Sequence, residues 1–251
     1  MIRSSLLDLP GLVHAFTDRT GGIGTPPYDT SNLALHVGDD AAVVLENHRR
    51  LAKRLGYDPA LAVHMRQIHS DRIVRCDARM DFHTRPECDA LITDLPGRPL
   101  IVMAADCTPV LLYDPRRRAA AAVHAGRAGA FSNIVGKTVQ AMEHAFGSDP
   151  ADLLAALGPA IKACCYAVGN TQADEARTLG YGFALHRLGE QAFLDIEAIL
   201  RFQLRRAGVR AERTDVLPHC TACEHGRFFS YRAEGGSTGR QAGIIMLQPH
   251  R

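Results

Sequence analysis

The sequence is poor in three features that would assign it to a specialised class of protein: tryptophan, long apolar runs and net charge. No run approaches the roughly 18 apolar residues of a membrane-spanning helix. Asp8 and Pro10 interrupt the N-terminal stretch early, so it does not resemble an export signal. A formal net charge of +2 is too small to indicate a nucleic-acid or membrane surface. We therefore expect a cytoplasmic protein that binds neither nucleic acid nor membrane, and no obligate protein partner is evident.

What the chain does have is an ordinary globular composition, with 251 residues of which 46% are hydrophobic and 22% are charged. Neither a repeat, a low-complexity tract nor a linker divides it, so residues 1–251 are predicted to form a single domain. Seven cysteines are scattered along the chain, an odd number. Without an export signal, they favour reduced thiols over a disulfide framework.

Local patterns predict strands and helices that do not alternate regularly. A helix is expected from a cap at Asp39 or Asp40 to Gly56. Glycine-rich residues 20–32 are typical of a long loop. This arrangement favours an α+β fold with mixed β-sheets layered with helices over a doubly wound fold. The predicted strands lie near 61–65, 72–76, 89–93, 100–105, 109–113, 119–124, 153–157, 214–217 and 243–247, and further helices near 132–146, 171–179 and 190–207.

An acid and a thiol interrupt the most apolar segment of the chain, LIVMAADCTPVLLYD, which ends at Asp114. The following residues, PRRRAAAAVH, predict a hairpin whose turn begins at Asp114. If Tyr113 faces Ala119, Thr108 faces His124, and Cys107 lies one residue from the partner of His124. Opposed side chains in a sheet are about 5 Å apart at Cβ, so a thiol and an imidazole could meet there. The register is an assumption, since a slip by one residue reverses the facing.

His69 lies where an apolar strand ends, and it could join Cys107 and His124. One cysteine and two histidines match a catalytic zinc site, which commonly keeps three protein ligands and one open position. Without a metal, a histidine would instead activate Cys107 as a nucleophile. Packing of these side chains in the core is the third interpretation, and spacing alone does not choose among the three.

A rival metal site is the pair Cys220 and Cys223, flanked by His219 and His225. A four-ligand structural zinc would need both of these histidines or the adjacent cysteines at 164–165. We interpret the pair as reduced structural thiols near the cleft. The glycines of AGRAG, after His124, fit a strand-to-helix bend better than a phosphate site.

Six ordered blocks of sequence together resemble the YfiH-type family, also called the polyphenol-oxidase or laccase domain, peptidoglycan editing factor, or multifunctional purine nucleoside phosphorylase. The likeness runs from near Val13 to Leu247. The blocks are HAFTDRTGG with SNLALHVGDD, QIHSDRIV, AADCTPVLLYD, VHAGRAG, LGPAIKACCYAVG and RFFSYRAEGGSTGRQAGIIML.

The resemblance implies a cytoplasmic zinc enzyme whose ligands and reaction centre are His69, Cys107 and His124. It implies a transferase and hydrolase: phosphorolysis of adenosine, inosine, guanosine and methylthioadenosine, and deamination of adenosine. Purine nucleosides and phosphate would be its partners. Asp106 is a candidate acid beside the metal. The remaining candidate substrate contacts are Arg19, Asn32, His36, Gln67 and Arg127.

Two departures from the family pattern bear on the substrate. Arg127 and Ala128 follow the His-Ala-Gly step, where the family usually has Trp-Arg, and Ala167 stands where it usually has Glu. A guanidinium is thereby displaced, and an aromatic stacking surface is missing.

Other functions remain open. One alternative is a cytoplasmic hydrolase that removes misincorporated amino acids from peptidoglycan precursors, and another is a non-catalytic, zinc-stabilised binding domain. Copper oxidation is disfavoured, because a laccase needs a multi-histidine cluster and the sequence supplies two convincing histidines.

Overall fold

The computed structural model describes residues 1–249, which form three β-sheets, five α-helices and several short 3-10 turns. Among these helices, none is both long enough and apolar enough to cross a membrane. The helices are α1 (Ala41–Leu55), α2 (Arg127–Phe131), α3 (Ile134–Phe146), α4 (Asn170–Thr178) and α5 (Ile196–Arg206). The strands are β1 (Leu12–Phe16), β2 (Val63–His64), β3 (Ile73–Arg75), β4 (Ala90–Thr93), β5 (Leu100–Ala104), β6 (Thr108–Asp114), β7 (Ala119–Ala125), β8 (Leu154–Leu157), β9 (Ala167–Val168), β10 (Leu185–Leu188), β11 (Gln191–Leu194), β12 (Thr214–Val216) and β13 (Gln241–Leu247).

The largest sheet has six strands in the order β12-β8-β6-β7-β4-β3. It is mixed, because its two outer pairs are parallel and its inner pairs are antiparallel. A four-stranded sheet has the order β1-β13-β5-β2, and a small antiparallel sheet has the order β10-β11-β9. The prediction of an α+β fold with mixed sheets and helices is confirmed.

The core is layered because successive residues of a strand point to opposite faces. In β6, Val110 and Leu112 belong to a cluster that includes the inner faces of α3 and α5. Leu111 belongs to a second cluster, between the six-stranded and four-stranded sheets. Leu51 of α1 packs with Ile101 on the far side of the four-stranded sheet. The order of layers is therefore helix, sheet, sheet, helix.

All nine predicted strands overlap observed strands, and helix α1 begins after Asp40 as expected. Two helix predictions were wrong at their starts. Ser132 ends α2, and α3 begins only after Asn133, whose backbone is left-handed (φ 59°). The helix expected over 190–207 begins at Ile196, because Asp195 caps it by accepting the backbone N–H of Ala198. The residues before that cap form β11.

The β6–β7 hairpin forms where predicted, but its register differs by one residue. Asp114 pairs with Ala119, and Pro109 pairs with His124. The carboxylate of Asp114 accepts the backbone N–H groups of Arg116 (2.8 Å) and Arg117 (3.0 Å), which fixes a four-residue loop. The assumed pairing of Tyr113 with Ala119 was therefore wrong.

Candidate active site

Three side chains from separate parts of the chain meet at one end of the six-stranded sheet. The Sγ atom of Cys107 and one imidazole nitrogen each from His69 and His124 lie within 4.8 Å of one another. The two imidazole rings are 5.0 Å apart between centroids and nearly perpendicular, at 77°. All three side chains line a cavity of about 510 Å³.

The hairpin register explains why Cys107 reaches His124. Cys107 precedes Pro109 by two residues, so it lies on the same face of the hairpin as the partner of His124 and diagonal to His124 itself. The predicted register would have turned it to the opposite face. Gly126 leaves room for the thiol, because a Cβ atom there would lie 2.6 Å from the Cys107 Sγ.

His69 is held in an uncommon backbone conformation by a buried acid. Its φ of 57° lies in the left-handed region, which is costly for residues other than glycine. The Asp89 carboxylate is fully buried and accepts the backbone N–H groups of His69 (3.1 Å) and Ser70 (2.7 Å). These hydrogen bonds offset the cost of the turn and direct the His69 imidazole towards Cys107.

Asp89 also orients His124. The Nδ1 atom of His124 is 2.8 Å from a carboxylate oxygen of Asp89, which accepts its hydrogen bond and leaves Nε2 to face Cys107. This is the usual way in which a carboxylate fixes the tautomer of a metal-binding histidine. Asp89 was not among the predicted site residues. The signal was present, since this acid immediately precedes an apolar strand, where a charge is unusual.

The site has coupled charges. Burial favours a higher pKa for the Cys107 thiol, but the charges and hydrogen bonds of His124 and His69 outweigh it and lower the pKa. Burial favours a lower pKa for His124, but Cys107 and Asp89 raise it. Burial would also raise the pKa of Asp89, yet hydrogen bonds from His124 and Ser70 lower it to about 2. A lowered thiol pKa favours the thiolate of Cys107, the form that binds metals and attacks electrophiles.

The donor set fits a zinc ion. Zinc commonly takes cysteine sulfur and histidine nitrogen, and three protein donors beside a cavity leave a position for a reactant. Within residues 1–249, the groups able to hold a metal are this one and a cluster of four cysteines. Neither contains the several imidazoles of a multi-copper centre.

Three of the predicted substrate contacts line the cavity: His36, Gln67 and Asp106. The Gln67 amide is fixed to the backbone of Met103, donating to its carbonyl (2.8 Å) and accepting its N–H (2.9 Å). Burial, together with the nearby charges of Arg240 and Arg85, lowers the pKa of His36. His36 therefore presents an uncharged imidazole to the cavity at neutral pH.

Asp106 is an anchor for a loop. Its carboxylate accepts three hydrogen bonds of 2.7 Å, from the hydroxyls of Thr221 and Ser230 and from the backbone N–H of Arg232. Its own backbone is left-handed, with φ 90°. Three of the roughly four acceptor positions of this carboxylate are therefore used within the protein. Its role as an acid beside the metal stays a prediction.

Arg19 and Asn32 lie outside the residues that line this cavity. The Arg19 guanidinium is buried and donates to Glu234 (2.9 Å) and to Asp29 (3.0 Å). Asn32 is fully buried, and its side-chain oxygen accepts the backbone N–H of Arg240 (2.9 Å). Both residues stabilise the walls, because their polar atoms are already used within the protein.

Arg127 is also displaced from the cavity. It lines a small pocket behind Cys107 and forms an ion pair with Glu175 (2.8 Å). The guanidinium groups that line the cavity belong to Arg232 and Arg240 instead.

The residues that form the walls of the cavity were not predicted, although two of the recognised blocks contain them. Tyr166 and Tyr231 line it, so tyrosines provide aromatic surface in a protein without tryptophan. Arg240 is fixed by hydrogen bonds to the carbonyls of Thr238 and Gly239, both 2.8 Å. No spacing rule links these positions to Cys107, because they reach the cavity from distant loops.

Comparison with known proteins places the chain among relatives of similar length. A family model described as "multi-copper polyphenol oxidoreductase laccase" matches residues 13–248. A protein named purine nucleoside phosphorylase from Corynebacterium glutamicum is 41% identical, with 92% of this chain and 93% of the relative covered. Another of that name, from Streptomyces coelicolor, is 40% identical, covering 94% of this chain and 96% of the relative.

Solved structures show the same fold. The protein YfiH of Bacillus licheniformis, described as hypothetical, superposes with a TM-score of 0.91 at 33% identity, covering 96% of this chain and 98% of that one. YlmD of Geobacillus stearothermophilus gives a TM-score of 0.90 at 31% identity, covering 98% of this chain and 94% of that one.

Proposed function

The chain belongs to the multi-copper polyphenol oxidoreductase laccase family, which includes the YfiH-type proteins, and on that premise we propose that it is a zinc-dependent purine nucleoside phosphorylase. Its substrates would be adenosine, inosine, guanosine and methylthioadenosine, and it would also deaminate adenosine. Relatives about 40% identical carry the name purine nucleoside phosphorylase. The observation that carries the proposal is one cavity that combines sulfur and nitrogen donors, two guanidinium groups and two phenol rings.

Different residues of the chain would bind the metal, the phosphate and the nucleoside. His69, Cys107 and His124 would hold the zinc ion, and Asp89 keeps two of these ligands in place. When bound, zinc supplies a Lewis acid that polarises a substrate oxygen and makes a bound water more acidic.

Phosphate binding falls to Arg232 and Arg240, because charge-assisted hydrogen bonds from guanidinium groups suit phosphate oxygens. The fixed position of Arg240 reduces the entropy lost when phosphate binds. In phosphorolysis, a phosphate oxygen forms a bond to C1′ of the ribose. The C1′–N9 bond breaks, its electron pair leaves with the purine, and the purine gains, through solvent, the proton that the attacking phosphate loses.

Nucleoside binding falls to Tyr166 and Tyr231, whose rings offer stacking surfaces for a purine. The uncharged His36 imidazole can exchange hydrogen bonds with a ribose hydroxyl. In deamination, water adds at C6 of adenosine, and ammonia leaves to give inosine. Both reactions use the same bound nucleoside, so one cavity can serve both.

The test is to incubate the purified metal-containing protein with adenosine, with and without phosphate, and to resolve the products. Adenine and ribose 1-phosphate should form only with phosphate, and inosine should form in both mixtures. Cys107→Ser is the matched control for contaminating activity. Equal product from this variant, or no product from either protein, would reject the proposal, and the latter result would favour a binding domain.

We also propose that residues 1–251 act as one domain in the cytoplasm. The family match extends over nearly the whole chain. All seven cysteines are free, which suits a reducing compartment.

A further inference from the structure

Four cysteines gather in a second cluster, which we call the four-thiol cluster. Cys164 and Cys165 come from the segment between β8 and β9, and Cys220 and Cys223 come from the segment between β12 and β13. Their Sγ atoms all lie within 4.8 Å of one another. Cys220 is buried, while Cys164 and Cys223 are exposed. This cluster shares no residue with the site at Cys107.

The distances suit one tetrahedral metal ion. The Cys223 Sγ lies 3.5 Å from that of Cys164 and 3.3 Å from that of Cys165. Zn–S bonds of about 2.3 Å place the sulfur atoms of a tetrahedral site about 3.8 Å apart. A cluster of several irons would need wider separation, because its ligands do not share one metal atom. Tetrahedral sulfur ligation by a single ion is typical of structural zinc.

The surroundings supply a hydrogen-bond donor to one of the four sulfur atoms. The backbone N–H of Lys162 points at the Cys220 Sγ, 3.4 Å away. An N–H donor of this kind stabilises a sulfur ligand that carries negative charge. Two of the four cysteines are exposed, so removing apolar surface from water does not explain why they converge.

We propose that the four-thiol cluster binds one structural Zn²⁺ ion. On binding, each thiol loses its proton to solvent, and its sulfur forms one bond to zinc. Four protein ligands close the coordination sphere, so this site has no position for a reactant. This inference does not depend on the proposed enzyme activity.

The zinc would join two segments that build the wall of the active-site cavity. Tyr166, next to Cys165 in the chain, lines that cavity. On the other segment, Thr221 follows Cys220 and donates a 2.7 Å hydrogen bond to Asp106. The ion thus holds together two stretches with little regular secondary structure of their own.

The experiment measures zinc per chain in the purified, reduced protein and in two variants. The double variant Cys164→Ser/Cys223→Ser should lose one zinc equivalent relative to the natural sequence, because two of four ligands are gone. Both positions are exposed, so the core is unaffected. Cys76→Ala, which changes a buried cysteine outside both clusters, should retain the full zinc content. Cys107→Ser reports on the other site separately.

A second measurement needs no substitution at the cluster. Alkylation of Cys164 and Cys223, followed by peptide mass, should be slow in the zinc-loaded protein and at least tenfold faster after treatment with a strong chelator. Unchanged zinc in the double variant, or fast alkylation before chelation, would overturn the proposal. So would iron in place of zinc at the cluster, or disulfide bonds among these four cysteines in the reduced preparation.

Discussion

The two sulfur-containing clusters have similar ligand chemistry but lie in different structural surroundings. The first combines Cys107 with two imidazoles at the end of a buried strand pair, and it faces a cavity. The four-thiol cluster joins two irregular segments, and half of its cysteines are exposed. Three donors leave a coordination position for a reactant, whereas four donors do not.

The residues that support the ligands also differ between the two clusters. Asp89 fixes both His69 and His124, so the first cluster has a buried carboxylate that tunes its ligands. The four-thiol cluster has a backbone N–H donor from Lys162 instead. The number of donors and the nature of their support, more than the presence of cysteine, separate a reactive site from a structural one.

The strongest test of this contrast compares one cysteine from each cluster. Cys107→Ser should reduce kcat/KM for phosphorolysis by about 10³-fold or more, because it removes a group at the reaction centre. Cys223→Ser should mainly lower the melting temperature. Steady-state kinetics and thermal unfolding of both variants check this. An equal loss of activity in the two variants would break the distinction.

The stability of the metal-free protein at acid pH is the reference against which metal release from either cluster can be measured. Burial lowers the pKa of His48 to about 4 from 6.5, although its hydrogen bond to the Leu33 carbonyl opposes this. The unfolded chain binds this proton below pH 6.5, and the folded chain does not until about pH 4. His48 therefore favours folding fully above pH 6.5, and this contribution is lost as the pH falls towards 4.

We expect the free energy of unfolding of the metal-free protein to fall by roughly 3 kcal/mol over that range because of His48. His64 adds to this in the same direction, since burial lowers its pKa to about 3. Urea unfolding at a series of pH values measures the slope. His48→Gln should flatten it, and an unchanged slope in this variant would contradict the assignment.

The next prediction concerns the contribution of Asp89 to metal binding at the first cluster. Asp89→Asn preserves shape but replaces one acceptor oxygen by a donor, so zinc affinity at the first cluster should fall about 10–100-fold. Competition with a chelator measures this directly. Ser70→Ala, which removes a single hydrogen bond to Asp89, serves as the control and should have a smaller effect. Equal effects would indicate that Asp89 serves the loop alone.

The smallest expected effect compares two arginines. Arg240→Ala should raise the KM for phosphate roughly 10-fold or more, with a smaller change in kcat, because a charge-assisted contact is lost. Arg127→Ala removes an ion pair outside the cavity, where such pairs contribute only about 0–1 kcal/mol. A larger phosphate effect from Arg127 would restore it as the binding residue.

Much of the fold was predictable, because strands and helices produce recognisable patterns in the local sequence. Apolar runs located all nine predicted strands, and Asp40 and Gly56 marked the ends of α1. Strands β1, β9, β10 and β11 were missed, and the last three are short and depend on one another for pairing. The helix predicted over 190–207 was placed too early for the same reason, because β11 forms only by pairing with β9 and β10.

The sequence by itself determined which residue types are available for chemistry: an acid and a thiol interrupting a buried run, a histidine at a strand end, and a cysteine-rich pair of segments. Tertiary structure alone decided the hairpin register that turns Cys107 towards His124, the carboxylate of Asp89 beneath both histidines, and the meeting of four thiols. Local propensity acts over a few neighbouring residues. Contacts between residues 17 to 59 positions apart are set by how sheets and loops pack.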